Sequence, residues 1–238
     1  MNIVIIAPIY RQLPHLQRFL DSVCWQLKLG DQLVLCCEQE EYNAIEIILA
    51  SYRGYAGDVL LVANTAGVAS CAAARNMALS RMSMKPPIDW VKFLDADDVL
   101  APFALETFRQ MKIPDQVQCI AGPQLKVVDG RVVGMGVPDW NVITRRNPAV
   151  PSMTFVRQSA VDKVGGFNPR ICFEEDYDFW LRLRRDFGMG AFANVSWPVC
   201  YYWINQMERA AKAPVDHTYE GVDVREYFAR EYAITPER

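Results

Sequence analysis

The sequence predicts an α/β fold: a mostly parallel central sheet, helices on both faces, and a mixed edge supplied by the second half of the chain. Two observations carry that prediction. Through the first half, short apolar runs alternate with amphipathic helical patterns, the order that builds parallel strands joined by crossover helices. At the end of the fourth run stand three aspartates, Asp95, Asp97 and Asp98, where sheets of this kind present their ligand-binding rim.

The elements follow in chain order. "NIVIIAPIY" (residues 2–10) is a fully apolar strand, as expected when both faces are covered. Leu13, Leu16, Phe19, Leu20, Val23 and Leu27 then recur at three- and four-residue steps, predicting an amphipathic helix closed near Gly30. "QLVLCC" (32–37) reads as the second strand, and "EYNAIEIILASYRG" as a helix stopped at Gly54. "DVLLVAN" (58–64) is the third strand, followed by the alanine-rich helix "SCAAARNMALSRM". "DWVKFLDAD" is the fourth strand, and "PFALETFRQM" a helix with Pro102 in its first turn, where a missing N–H costs nothing.

The second half changes character. Residues 117–136 read as two strands joined by a turn at Asp129–Gly130. Residues 137–150 look like a loop. "PSMTFVRQSAVDKVGGF" gives a strand and a short helix ended by Gly165–Gly166, and "EEDYDFWLRLRRDFG" a helix turning Phe179, Trp180, Leu183 and Phe187 inward. The last thirty residues are charged, with Tyr219, Tyr227, Phe228 and Tyr232 interspersed, and suggest a helical arm. With no repeat, linker or low-complexity tract, residues 1–238 are expected to form one domain: a first half (1–116), a second half (117–204) and a C-terminal arm (205–238).

Composition narrows the function. A net charge of −3 supplies no field to draw in nucleic acid, though it leaves room for a nucleotide ligand. The N-terminal apolar run breaks at Pro8 and has no basic leader, and no stretch approaches the length of a membrane span. Seven cysteines at scattered spacings and two histidines argue against zinc and for reduced thiols. A soluble, cytoplasmic protein is the expectation.

Acids clustered at a strand end repel one another unless something positive lies among them. In an extended chain Asp95 and Asp97 would share a face, and two carboxylates beside an open crevice suit magnesium or manganese, which prefer oxygen ligands and leave positions for substrate phosphates. Helix capping by Asp97 or Asp98 is the competing account. It uses one acid well and three poorly.

Four blocks, in order, enlarge the pattern: "VIIAPIYRQLPHLQRFLDSVCWQ", "NTAGVASCAAARNMAL", "VKFLDADD" and "GGFNPRICFEEDYDFWLRL". Together they resemble the inverting GT-A glycosyltransferases of family two, the large family that includes cellulose, chitin and hyaluronan synthases. The Gly-Gly-Phe turn, the acidic pair and the Tyr-x-x-Trp-x-x-Arg run match the family's acceptor-side signature. The resemblance implies a nucleotide-sugar donor, by default a UDP-sugar, across the first half, and an acceptor at the second. Asp95 would contact ribose or sugar, and Asp97 would bind the Mn2+ or Mg2+ that bridges the diphosphate. Pro8 and Tyr10 match the turn lining the base pocket, and Arg75 would lie near ribose, phosphates or catalytic acids. On its own Arg75 reads as a solvated helix arginine. The chain departs from the family at the second strand, where Cys37 or Glu38 stands in place of a base-contacting aspartate; Glu38 could accept a hydrogen bond from uracil.

Transfer with inversion needs a stabilised leaving group and a base for the acceptor hydroxyl. The family's Glu-Asp pair falls on Glu175–Asp176, with Asp176 as base, kept ionised by the helix N-terminus. An acid-rich first turn is the plainer account of the same residues. Arg182, Arg184 and Arg185 are expected on a solvated face rather than at a diphosphate or an acidic acceptor, and Trp140 and Trp203 either stack on sugar or pack. The "YYWINQMERAAK" segment lies where relatives close a loop over the donor, and His217, beyond it, is expected at the surface rather than on the metal. The acceptor is left open among a glycan, a lipid-linked sugar, a protein side chain and a modified nucleobase; an oligomer is compatible with all of this. The rivals are a nucleotide-sugar-binding relative without turnover and a metal-dependent nucleotidyltransferase, which would want a glycine- and lysine/arginine-rich loop after the first strand. An oxidoreductase lacks its glycine-rich turn in "APIYRQ".

Overall fold

The structure, a computed structural model, describes residues 1–52, 54–55, 57–65, 70–204 and 218–235. Strand β1 (Ile3–Ile9) is buried at every position and pairs in parallel with β2 (Gln32–Cys37) on one side, which explains its unbroken apolar run. Between them, α1 (Leu13–Val23) buries Leu16, Phe19, Leu20 and Val23. It tightens into a 3₁₀ turn at Cys24–Gln26 and stops where Leu27 becomes extended, short of the expected close at Gly30. Helix α2 (Tyr42–Leu49) leads to β3 (Asp58–Ala63), the sheet's outer strand.

Helix α3 (Cys71–Arg81) starts at Ser70, whose hydroxyl accepts from the Ala73 amide at 3.1 Å. Ala72, Ala73, Ala74 and Ala78 are buried; side chains this small let the helix lie close to the sheet. Strand β4 (Trp90–Phe93) pairs in parallel with β1. It ends sooner than the sequence suggests: Asp95–Asp98 form a turn closed by the Asp98 amide on the Asp95 carbonyl at 3.0 Å. After the short β5 (Val99–Leu100), α4 (Ala104–Arg109) begins beyond Pro102, because Phe103 is left-handed at φ 61° and cannot continue a helix backward. Pro102 is therefore outside the first turn it was expected to fill.

In the second half, β6 (Cys119–Ala121), β9 (Thr154–Arg157) and β10 (Phe192–Asn194) extend the same sheet, in the order β10-β6-β9-β4-β1-β2-β3. Strand β9 runs antiparallel to both β4 and β6. Residues 117–136, expected as two strands, form three: β6 joins the main sheet, and only β7 (Gln124–Val128) and β8 (Arg131–Gly136) make the hairpin, turned at Asp129 (φ 48°) and Gly130 (φ 75°). With β5 and β11 (Cys200–Trp203) it makes a second sheet, β5-β11-β7-β8. Helices α5 (Gln158–Val164) and α6 (Glu175–Phe187) cover one face. A small ribbon, β12 (Thr218–Tyr219) and β13 (Val222–Asp223), leads into α7 (Val224–Tyr232). The main sheet separates two apolar cores, one with Leu16, Phe108 and Phe155, the other with Phe93, Phe179 and Phe228.

Candidate functional site

The turn after β4 and the first turn of α6 meet across Arg75. This side chain is 2% exposed and donates from one guanidinium nitrogen to Asp95 Oδ1 at 2.7 Å and from the other to Glu175 Oε1 at 2.8 Å. The positive group that clustered acids require is thus inside the protein, and the solvated arginine suggested by the helix pattern alone is overturned. Burial pulls the Arg75 charge down, but Asp95, Cys71 and Glu175 outweigh it, and the net shift is upward. Its face lies 5.1 Å from the Phe167 ring.

Asp95 and Asp97 are half-buried beside the buried Ala96 and Asp98. They stand in a turn, so the strand alternation assumed for them does not apply. The Asp95 amide donates to Ser152 Oγ at 3.0 Å, and Arg18 of α1 reaches the Asp97 carbonyl at 3.3 Å while lying 4.1 Å from the Trp203 ring. The capping account fails here: α4 has no side-chain cap. Asp98 points inward, 3% exposed, with Oδ1 lacking a hydrogen-bond partner; burial, then Asp95 and Asp97, push its carboxyl well up. Beneath it lies a charge that the sequence reading passed over. Lys92, in the middle of β4, is fully buried and donates to the carbonyls of Phe93 at 2.7 Å and Ser152 at 2.5 Å. Burial brings its ammonium down to about 8 against the pull of Cys200, Asp98 and Asp95. A lysine within an apolar strand was the available signal.

Among the described residues, no group of three or more His, Cys, Asp or Glu side chains is arranged to hold a metal unaided. What the turn offers is an all-oxygen pair, Asp95 and Asp97. That fits magnesium or manganese taking its other ligands from water and a diphosphate, the way these ions bind beside substrate phosphates.

Asp176, the second residue of α6, is 8% exposed. Its Oδ1 accepts from the Tyr177 amide at 2.9 Å. The helix N-terminus does not keep it strongly acidic as expected: burial first, then Glu175, lift it to about 7, against the hydrogen bond from Asn147 and the Arg75 charge. Asn147 had no signal in the sequence beyond a loop amide. Arg182 also departs from expectation. It is not on a solvated face but donates to Asp178 Oδ2 at 2.9 Å and to the carbonyls of Val164 and Gly166, each at 2.7 Å. Arg185 is exposed and bonded to Asp186.

Pro8 lies in register with Cys36 in β1–β2, and Tyr10, 50% exposed, follows the strand with Arg11 5.0 Å from its ring. Of the two candidates ending β2, Cys37 is buried, its thiol pushed up to about 11 by burial, and Glu38 is at the rim. Glu38 accepts from the Asn64 amide at 2.9 Å, and the Asn64 backbone N–H donates to the Cys37 carbonyl at 2.7 Å. Trp140 packs edge-on against Trp180 in the core. His217 and residues 205–212 of the "YYWINQMERAAK" segment lie outside the described residues. No helix among the described residues is long and apolar enough to cross a membrane.

A family model described as "Glycosyltransferase like family 2" matches residues 2–233. Among solved structures, S. aureus TarS (residues 1-349) in complex with UDP-GlcNAc is similar at 16% identity and a TM-score of 0.70, covering 90% of this chain and 62% of that one. A mannosyltransferase from Pyrobaculum calidifontis in complex with GDP-Man and Mn2+ gives 14% and 0.61, covering 96% and 70%. Glucosyl-3-phosphoglycerate synthase from Mycobacterium tuberculosis, in complex with Mn2+, UDP and glucosyl-3-phosphoglycerate, gives 12% and 0.60, covering 88% and 75%. The chain spans about three fifths of the length of the TarS 1-349 structures and 37% of a longer TarS structure. No curated protein matches the chain in sequence.

Proposed function

The chain belongs to glycosyltransferase-like family 2, and from that premise we propose that it is an inverting, metal-dependent transferase moving a sugar from a UDP-sugar to an acceptor hydroxyl. The single observation that carries this reading is the Asp95–Arg75–Glu175 bridge. It brings the aspartate turn of the first half against the acidic helix start of the second, the arrangement in which a donor and an acceptor can meet.

The roles follow from chemistry. The donor lies across residues 1–116, with its base between Tyr10 and Glu38 and its diphosphate at the turn of Asp95 and Asp97. The acceptor enters over residues 117–204. A divalent ion held by Asp97 would supply positive charge for the departing diphosphate. Arg75 orients Asp95 and Glu175 and keeps both from repelling the donor phosphates. Asp176 accepts the hydroxyl proton as the acceptor oxygen attacks the anomeric carbon from the face opposite the leaving group. A carboxyl lifted toward 7 is matched to that task, because a general base works best with a pKa near the working pH. Its burial also keeps bulk water from competing.

The decisive experiment is incubation of the protein with a panel of UDP- and GDP-sugars and manganese, following nucleoside diphosphate release and then acceptor glycosylation by mass spectrometry. Release that disappears in Asp97→Ala supports the reading. Saturable UDP binding with no turnover on any donor or acceptor supports a binding relative instead. Asp176→Asn is expected to leave donor affinity within a few fold and to slow transfer by about a hundredfold; equal loss of affinity and rate overturns its assignment as base.

A further inference from the structure

The first turn of α6 is held from outside the site. Glu174, immediately before Glu175 and Asp176, is left-handed at φ 58° and ψ 33°. A β-carbon makes that conformation unfavourable, and it persists where the surroundings fix it. The surroundings here are α7. Arg225, its second residue, donates to Glu174 Oε1 at 2.8 Å and to Oε2 at 3.4 Å, a two-point grip of guanidinium on carboxylate. The helix that carries Arg225 is itself anchored. Phe228 is fully buried and edge-on to Tyr177 at 5.3 Å. The Tyr232 hydroxyl donates to Asp178 Oδ1 at 2.6 Å, and Asp223 caps the helix by accepting from the Arg225 and Glu226 amides.

We propose that Arg225 is a positioning residue for sugar transfer: its grip on Glu174 maintains the left-handed turn that delivers Glu175 to Arg75 and aims Asp176 at the acceptor. Residues 218–235 are then part of the working site. Arg225 touches no reacting atom in this scheme, so its effect passes through the backbone of residues 174–176. The inference rests on the assignment of Asp176 given above.

The test combines hydrogen exchange with kinetics on Arg225→Ala, Arg225→Lys and the double variant Glu174→Gly with Arg225→Ala. Arg225→Ala is expected to speed amide exchange in residues 172–178 at least tenfold while leaving β1–β4 unchanged. It should lower kcat for nucleotide release at least tenfold, with the donor KM within threefold. Arg225→Lys should recover part of the rate. Adding Glu174→Gly to Arg225→Ala should recover most of it, because glycine adopts the left-handed turn unaided. Unchanged exchange in 172–178, or a folded double variant that stays as slow as Arg225→Ala, overturns the proposal. Should Arg225→Ala fail to fold, Glu174→Gln keeps the shape, removes the charge and gives the same two readouts. Exchange needs no donor, so a protein that turns over no nucleotide sugar defeats the proposed function while the hold on the turn is still decided.

Discussion

At the scale of single residues, the site is a problem of charge kept out of water. Arg75 satisfies two carboxylates from a buried position, and removing one partner of such a set leaves the others uncompensated. Arg75→Met is expected to cost about 3–5 kcal/mol, read as a lower urea midpoint, and to abolish nucleotide release. Asp176 gives a pH signature. Its folded carboxyl titrates near 7 against an ordinary 3.8, so between those values the folded state binds a proton that the unfolded state has released. Stability is therefore intact below about pH 4 and falls as pH rises to about 7, by about 4 kcal/mol at most. Asp176→Asn should match the native protein in stability at pH 4 and exceed it at pH 8, measured by chemical denaturation at both. The same titration predicts a release rate that climbs with pH, is half-maximal near 7 and levels off above it. The aspartates themselves were legible in the sequence because three acids ending an apolar run are conspicuous. The burial of Arg75 was not, since its helix neighbours are equally compatible with a solvated face; only the fold decides which side is covered.

At the scale of elements, the Gly165–Gly166–Phe167 turn explains why two glycines stand together. Both have positive φ, 79° and 73°, but only one is crowded. A β-carbon on Gly165 meets nothing within 4 Å, whereas one on Gly166 would come 2.6 Å from Asn76 Oδ1. That amide clasps Phe167 from both sides, accepting from its N–H at 2.8 Å and donating to its carbonyl at 2.7 Å. Gly165→Ala should cost about 1 kcal/mol for the left-handed backbone alone. Gly166→Ala adds the loss of the Asn76 clasp and should cost about 2–3 kcal/mol, with equilibrium unfolding of the pair as the measurement. Strands β1 and β2 could be read directly, because buried parallel strands are continuous in apolar residues; β3 carries the same apolar run although, as the outer strand, it is buried only at Leu61. Strand β9 could be read as a strand but not placed: its antiparallel seat between β4 and β6 depends on partners far away in sequence. Helix α4 was misjudged at its start because the left-handed Phe103 has no local signature.

At the scale of the whole molecule, the two halves cannot be separated. Strand β4 of the first half pairs with β9 of the second, and both apolar cores draw side chains from each half. We propose a single folding unit. Calorimetry is expected to give one transition whose measured enthalpy agrees with the van't Hoff value; two resolved transitions would divide the chain. The Asp95–Arg75–Glu175 bridge adds a consequence for biosynthesis. Arg75 and Glu175 stand 100 positions apart, and a ribosome releases residues in order. The bridge therefore cannot be completed on the nascent chain until α6 leaves the exit tunnel. A premature stop codon ahead of Glu175 yields no weakened enzyme, only an unfinished cleft.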